Sequence, residues 1–291
     1  MVSQALQYLF SGLTSSAIYA LAAIGFSVIY NASGIINFAQ GEFIMLGSVS
    51  AVMLTAAGAP LPLALAGAVV VGALAGLLLV KLAIERAGQA SQESLIIITI
   101  GASIFLQGLT QLVFGKGQQA LGPFSGEEPI RIGGATLLPQ SLWVIGIGAV
   151  LVLLLAWFFG RTRLGKALLA TAHNRLAAQL VGIDVRLVLA VSFVISAAIG
   201  AIGGAVAAPI TLSSSDVGVM LGLKGFVAAT LGGLGNAMGA VAGGLILGFT
   251  EALAAGYISS AYKDAVPFVL IIFILLVRPR GLFGAKVTER V

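Results

Sequence analysis

The 291-residue chain contains no cysteine and a single histidine, His173. Disulfides, thiolate nucleophiles and cysteine metal centres are thereby excluded, and one imidazole cannot build an all-histidine metal site. Charge is scarce as well. Asp, Glu, Lys and Arg make up 9% of the residues, against about a quarter in soluble globular domains. No catalytic constellation appears: His173 lies in a basic stretch with no carboxylate close in sequence, so neither an enzyme nor a cofactor is expected.

What is present is apolar. Hydrophobic residues account for 59% of the chain and the mean hydropathy is +1.11. Windows long enough to cross about 30 Å of hydrocarbon recur at about 5–30, 37–57, 61–82, 94–114, 142–160, 186–210, 218–235, 237–257 and 264–279. Backbone polar groups cannot be left bare in lipid, and the segments are too long and too continuous for barrel strands. The expected fold is therefore all-α: a polytopic integral membrane protein of 8–9 transmembrane helices, some broken or re-entrant. The first window lacks a basic leader and is too long for a signal core, so it is read as a span.

The few basic residues cluster. Lys81 to Glu93, Arg161 to Arg186, and the tail with Arg278, Arg280, Lys286 and Arg290 are expected on the cytoplasmic side. The same bias explains the net charge of +5 without nucleic acid as a partner. Nine spans place the N-terminus outside. If the first break is re-entrant, eight remain and it lies inside.

Two windows differ from plain crossings. Residues 31–42 (N-A-S-G-I-I-N-F-A-Q-G-E) and 214–239 each interrupt an apolar run with glycine and polar groups. One such break per half resembles the paired discontinuous helices of transporters built on internal repeats. Small residues four apart (Gly72 with Gly76, Gly200 with Gly204, Gly239 with Gly243, Gly244 with Gly248) predict close helix packing. Ionisable residues inside spans carry a high desolvation penalty. Glu42, Lys224 and Glu251 are such residues, with Asp216 and Asp264 near the outer ends. Asn37 and Gln40 flank Glu42, and Gln107 shares a face of the fourth span with Gln111. For each, interhelical hydrogen bonding competes with lining a substrate path.

Arg161 to Arg186 holds five of the fifteen Lys and Arg and the histidine. Its G-R-T-R-L-G-K-A fits a phosphate loop except that Ala167 stands where Ser or Thr must hold magnesium, and no strand precedes it. Gly233-Leu234-Gly235 likewise fails as a dinucleotide fingerprint, because Gly239 falls one residue too late. Leu164, Leu168, Ala172, Leu176 and Leu180 fall four apart, predicting one amphipathic helix over 164–181 that Gly182 ends. Such a helix lies on the membrane surface or docks a cytoplasmic partner.

Three stretches together resemble the permease subunits of ABC importers for branched-chain amino acids, the shorter of the two usually paired: I-N-F-A-Q-G-E-F-I-M-L-G (Ile36 to Gly47), L-G-G-L-G-N-A-M-G-A-V-A-G-G (Leu231 to Gly244) and R-P-R-G-L-F-G (Arg278 to Gly284). The resemblance implies one transmembrane domain over 1–291 in the bacterial inner membrane, with a cytoplasmic C-terminus. It also implies that 161–186 is the ATPase-coupling loop, with Arg163, Lys166, Leu176, Ala177, Ala178, Gly182 and Asp184 as its contact residues. Of the family's E-A-A-x-x-x-G, this chain keeps Ala177, Ala178 and Gly182 with Leu176 in place of the glutamate. Ser192 to Ile195 stand where I-x-L-P is expected. Asn37, Gln40, Glu42, Gln107 and Glu251 are the candidates for the substrate path. The implied partners are a second homologous permease, two cytoplasmic ATPase subunits, a periplasmic binding protein and membrane lipid. Branched-chain amino acids are the family default, with other amino acids, short amides or urea as alternatives. A self-contained ion-coupled carrier using Glu42 or Glu251 is the reading from a different class.

Overall fold

The computed structural model of the protein describes residues 2–88 and 90–284. Lys286 and Arg290 of the basic tail lie outside the described residues. The helices are α1 (Val2–Ser33), α2 (Gln40–Ala56), α3 (Leu61–Leu79, extended by a π turn at Val80–Ile84), α4 (Gln92–Phe114), α5 (Pro139–Arg161), α6 (Arg163–His173), α7 (Arg175–Leu180), α8 (Val185–Thr211), α9 (Val217–Gly232), α10 (Ala237–Tyr257) and α11 (Val266–Val277). A 3-10 turn, Ser260–Ala265, precedes α11, and two short strands, β1 (Ile130–Ile132) and β2 (Ala135–Leu137), precede α5.

Among the described residues seven helices, α11 counted together with the 3-10 turn before it, are long and apolar enough to cross a membrane. The two shorter apolar ones are α2 and α9, of 17 and 16 residues, and they arise in the two windows that carry the polar breaks. At 1.5 Å per residue each reaches only about 25 Å. Non-helical backbone at 34–39, ending in a turn at 38–39, leads into α2, and 212–216 leads into α9.

Helix starts follow local chemistry. Proline opens α3, α5 and α11, where its missing N–H is harmless. Side-chain caps open others: Ser91 at α4, Asp184 at α8 and Asn236 at α10.

Helix pairing is done by small residues, as lipid immersion requires. Gly244, Gly248 and Gly256 of α10 face Ala20, Ser16 and Tyr8 of α1, an antiparallel pair. Gly72 and Gly76 of α3 face Ala201 and Ala197 of α8, also antiparallel. Gly200 and Gly204 receive α2 at Phe43 and Ile44, while Gly239 and Gly243 receive α9 at Gly232 and Ala228. All four predicted glycine pairs sit at such interfaces.

The helix contacts repeat in two halves. α1 packs on α10 as α8 packs on α3, α2 on α8 as α9 on α1, and α2 on α3 as α9 on α10. α2 and α9 meet where Gly41, in the first turn of α2, lies against Gly218 and Gly222, in the first two turns of α9. From that point they run in opposite directions. The well-covered interior is built by α1, α2, α8, α9 and α10, whereas α4, α5 and α11 turn apolar side chains such as Phe105, Leu153 and Leu276 outward.

One end of the molecule gathers the start of α1, the β-hairpin and the end of α10. Ser3 Oγ donates to Gly134 O at 2.9 Å, and Tyr8 OH to Gly256 O at 3.3 Å. The opposite end holds α6 and α7, Ser33, Lys81 and Phe283. The hairpin was not expected from the sequence. Gly133 and Gly134 both have positive φ, 59° and 82°, the conformation of a two-residue hairpin turn.

Candidate functional site

The break before α2 builds itself from its own polar groups. Asn37 Oδ1 accepts from Ala39 N at 3.1 Å, and Asn37 O accepts from Gln40 N at 3.1 Å, which starts the helix. Gln40 ties that start to α8: its amide oxygen lies 2.6 Å from Ser196 Oγ, and its amide nitrogen donates to Ser196 O at 3.3 Å. Asn37 and Gln40 are both fully buried; the bonds of Gln40 tie α2 to α8, while Asn37 Nδ2 is buried without a partner.

Glu42 differs. It is 1% exposed; Ser103 Oγ of α4 donates to its Oε1 at 2.8 Å, while Oε2 has no partner. That oxygen lies against Gly218, at the point where the two shorter helices begin. Ser103 and Gly218 also line a cavity of about 220 Å³, walled by Phe26, Phe38 and Phe226 and reached by Gln107. Phe226 centres the ring cluster, 5.8 Å from Phe26 and 5.7 Å from Phe38. Ser103 and Gln107 stand one helical turn apart on a single face of α4. The structure thus brings Glu42 and Gln107 to one place.

Glu251 belongs elsewhere. Its Oε1 accepts from Lys224 Nζ at 2.8 Å; Lys224 also reaches Asp264 Oδ1 at 2.7 Å and Tyr19 OH at 3.2 Å, with its ammonium 5.3 Å from the Tyr19 ring centre. Lys224 and Glu251 are both buried, and Asp264 is half-exposed. A buried lysine answered by two carboxylates and an aromatic face is a pinned, locally neutralised group.

The sequence reading missed Ser103 and the three phenylalanines. The i, i+4 spacing of Ser103 and Gln107 was visible, but nothing in the sequence tied that face to Glu42, 61 residues earlier.

At the other end, Arg161 to Arg186 does not form the single helix expected over 164–181. It breaks at Asn174, whose backbone is extended (φ −156°, ψ 104°) and whose side chain accepts from Ala177 N at 2.9 Å, starting α7 afresh. The four-apart stripe is therefore split: Leu168 is buried against α5 and α8, whereas Leu176, Leu180 and Val181 are 73%, 87% and 77% exposed. Gly182 ends α7 as expected, at φ 86°, with Ile183 N donating to Ala178 O at 3.0 Å.

Asp184 then caps α8, accepting from Arg186 N at 2.9 Å and Leu187 N at 3.2 Å. Of the seven coupling candidates, Arg163, Lys166, Leu176 and Ala177 are exposed, Ala178 is buried, and Gly182 and Asp184 shape the backbone. Beside them a cleft of about 810 Å³ brings Lys81, Arg86, Arg175 and Arg186 together with Glu85 and Asp184.

Seven long apolar helices among the described residues, with two shorter ones starting at a shared glycine contact, define a multi-pass membrane protein. The sequence matches, over residues 8–275, the family described as branched-chain amino acid transport system / permease component, and the chain belongs to that family.

It is 35% identical to the high-affinity branched-chain amino acid transport system permease protein LivH of Escherichia coli (strain K12), covering 98% of this chain and 97% of that one. It is 33% identical to the corresponding protein BraD of Pseudomonas aeruginosa, over 98% of each. The ribose import permease protein RbsC of Escherichia coli (strain K12) is 26% identical, over 92% of this chain and 84% of that one. Among solved structures, PsaBC from Streptococcus pneumoniae in complex with Fab superposes with a TM-score of 0.53 at 15% identity, covering 94% of this chain and 92% of that one, and so shares the fold.

Proposed function

We propose that this chain is the permease subunit of an ABC importer, carrying branched-chain amino acids across the bacterial inner membrane as one transmembrane domain over 1–291. A second homologous permease completes the path, two cytoplasmic ATPases supply energy, and a periplasmic binding protein delivers the solute. The observation that carries this reading is the exposed apolar edge of α7. Three large aliphatic side chains, Leu176, Leu180 and Val181, stand in solvent on a short helix fixed at both ends by Asn174 and Gly182. Such an edge is unfavourable in water and is covered by an ATPase. The relatives named for branched-chain amino acid transport support the substrate class.

Orientation follows from charge. Lys81, Arg163, Lys166, Arg175 and Arg186 lie at the α7 end, which makes that end cytoplasmic. The described end of the chain, at Phe283 and Gly284, is on the same side, since Phe283 N donates to Gly232 O and Asn236 Nδ2 to Phe283 O. The start of α1 then faces outward. Asn37, Gln40, Glu42, Gln107 and Glu251 serve the path in different ways: Glu42 and Gln107 at its cavity, the other three by holding its helices.

The test is co-expression with the ATPase subunits of a branched-chain amino acid importer. The chain is expected to co-purify with ATPase subunits and to support ATP-driven uptake of leucine. Leu176→Glu with Leu180→Glu should abolish both while leaving the fold intact, because these side chains touch little of their own chain. Undiminished co-purification and uptake in that double variant would overturn the docking role of α7.

A further inference from the structure

We infer that Glu42 receives the ammonium group of the transported solute, and that the phenylalanine-walled cavity beside it takes an aliphatic side chain. This forms a membrane-embedded subsite for a zwitterionic amino acid. The inference rests on the permease reading and assigns its substrate contact.

A carboxylate at membrane depth is retained when something answers its charge. The ion pairs among the described residues join Lys81 to Glu85 and Lys224 to Glu251 and Asp264, and none includes Glu42. One hydroxyl, from Ser103, satisfies one oxygen, and the other is buried without a partner. Glu251 also keeps a free oxygen, but Lys224 already answers its charge. Glu42 is therefore the buried acid that still lacks a cation.

Its surroundings suit an amino acid. Ser103 and Gly218 line a cavity of about 220 Å³ and both touch Glu42, so the carboxylate lies one layer behind the cavity wall, reached through the Ser103 hydroxyl. Three aromatic rings supply apolar walls for a branched side chain and also favour a nearby ammonium. The opposite charge, the carboxylate, has donors of its own. Gln107 offers an amide, and the first turn of α9, at Gly218 and Val219, presents the positive end of a helix dipole to the same cavity. Glycine at 41, 218 and 222 lets the two helix starts close to backbone contact beside this cavity.

The experiment uses the assembled importer with its ATPases, in nanodiscs and without binding protein, titrated with three probes by calorimetry and by displacement of labelled leucine. The probes are leucine, 3-methylbutylamine (leucine without its carboxylate) and 4-methylpentanoate (leucine without its amine). Leucine and the amine are expected to bind and the acid to fail. Glu42→Gln should weaken leucine and the amine about tenfold or more, the scale of a lost charged hydrogen bond.

Equal binding of acid and amine, no binding of any probe at millimolar concentration, or an unchanged affinity in Glu42→Gln would each overturn the subsite. The probe ranking on the unaltered chain decides the matter even if the variant fails to assemble. Failure of the unaltered chain to bind ATPases would refute the permease reading instead, so the two failures are distinguishable.

Discussion

Replacing Lys224 by Met is expected to destabilise this protein more than any single change at its surface. Met keeps the length and apolar stem of lysine and removes only the ammonium, so packing against Tyr19 is largely preserved. What is left behind is asymmetric. Asp264, whose side chain is 47% exposed, regains solvent, but Glu251, at 8%, cannot. An uncompensated buried carboxylate costs about 3–5 kcal/mol, whereas replacing both members of a buried pair with apolar groups of similar volume is often neutral.

The predicted order of stability loss is therefore Lys224→Met largest, with both Lys224→Met plus Glu251→Met and Asp264→Asn much smaller, the last because Asp264 is half-exposed and Lys224 keeps its pair with Glu251. Tyr19→Phe, which keeps the ring under the ammonium and removes only the 3.2 Å hydroxyl contact, should cost about 1–2 kcal/mol. Reversible unfolding by steric trapping in bicelles measures each difference. A neutral Lys224→Met, or a double variant less stable than the single, would refute the view that Lys224 exists to neutralise Glu251.

Gly204→Ala should destabilise by about 1–3 kcal/mol, since its Cβ would meet the backbone of Ile44, whereas Gly101→Ala, with open space around it, should be neutral or stabilising by up to about 1 kcal/mol. Asn174→Ala removes the cap of α7 and should cost about 1 kcal/mol, read as faster amide exchange confined to 175–180. Changing Gly133 and Gly134 together to Ala forces positive φ on two side chains, and faster proteolysis between β1 and β2 is the expected outcome. A cysteine at Ser3 should react with an impermeant reagent added outside and one at Lys166 only after permeabilisation; the reverse would invert the orientation.

The apolar windows were legible because hydrocarbon thickness imposes one length on every crossing, and seven helices fall at their expected places. The two exceptions were legible too. Asn31 to Glu42 and the glycine-rich 214–239 announced their breaks, and α2 and α9 are the short helices that result. What periodicity could not show was Asn174. A run of leucines four apart reads as one stripe, yet a side chain able to cap a helix can also restart one, and here the local hydrogen bond to Ala177 wins over the pattern.

The site was half legible. Glu42 and Gln107 were singled out by burying polarity in lipid, but which acid is paired is a tertiary fact. Glu251 finds Lys224 from the neighbouring helix, while Glu42 finds only Ser103, and no spacing rule separates the two outcomes. The Gly133-Gly134 turn was a readable signal, overlooked among 39 glycines that mostly serve packing.

The starts of α2 and α9 share one point and depart toward opposite faces. A chain built this way shows nearly the same backbone to either side of the membrane at its centre. The repeat is not complete: α5 with α6 and α7 stands at one end and the small hairpin at the other, and the Lys224–Glu251 pair belongs to one half alone. In a permease that opens to one face at a time, a ligand reverses the balance completely when it favours one state by about 5.5 kcal/mol. Symmetry at the middle thus leaves the direction of opening to whatever binds at the ends.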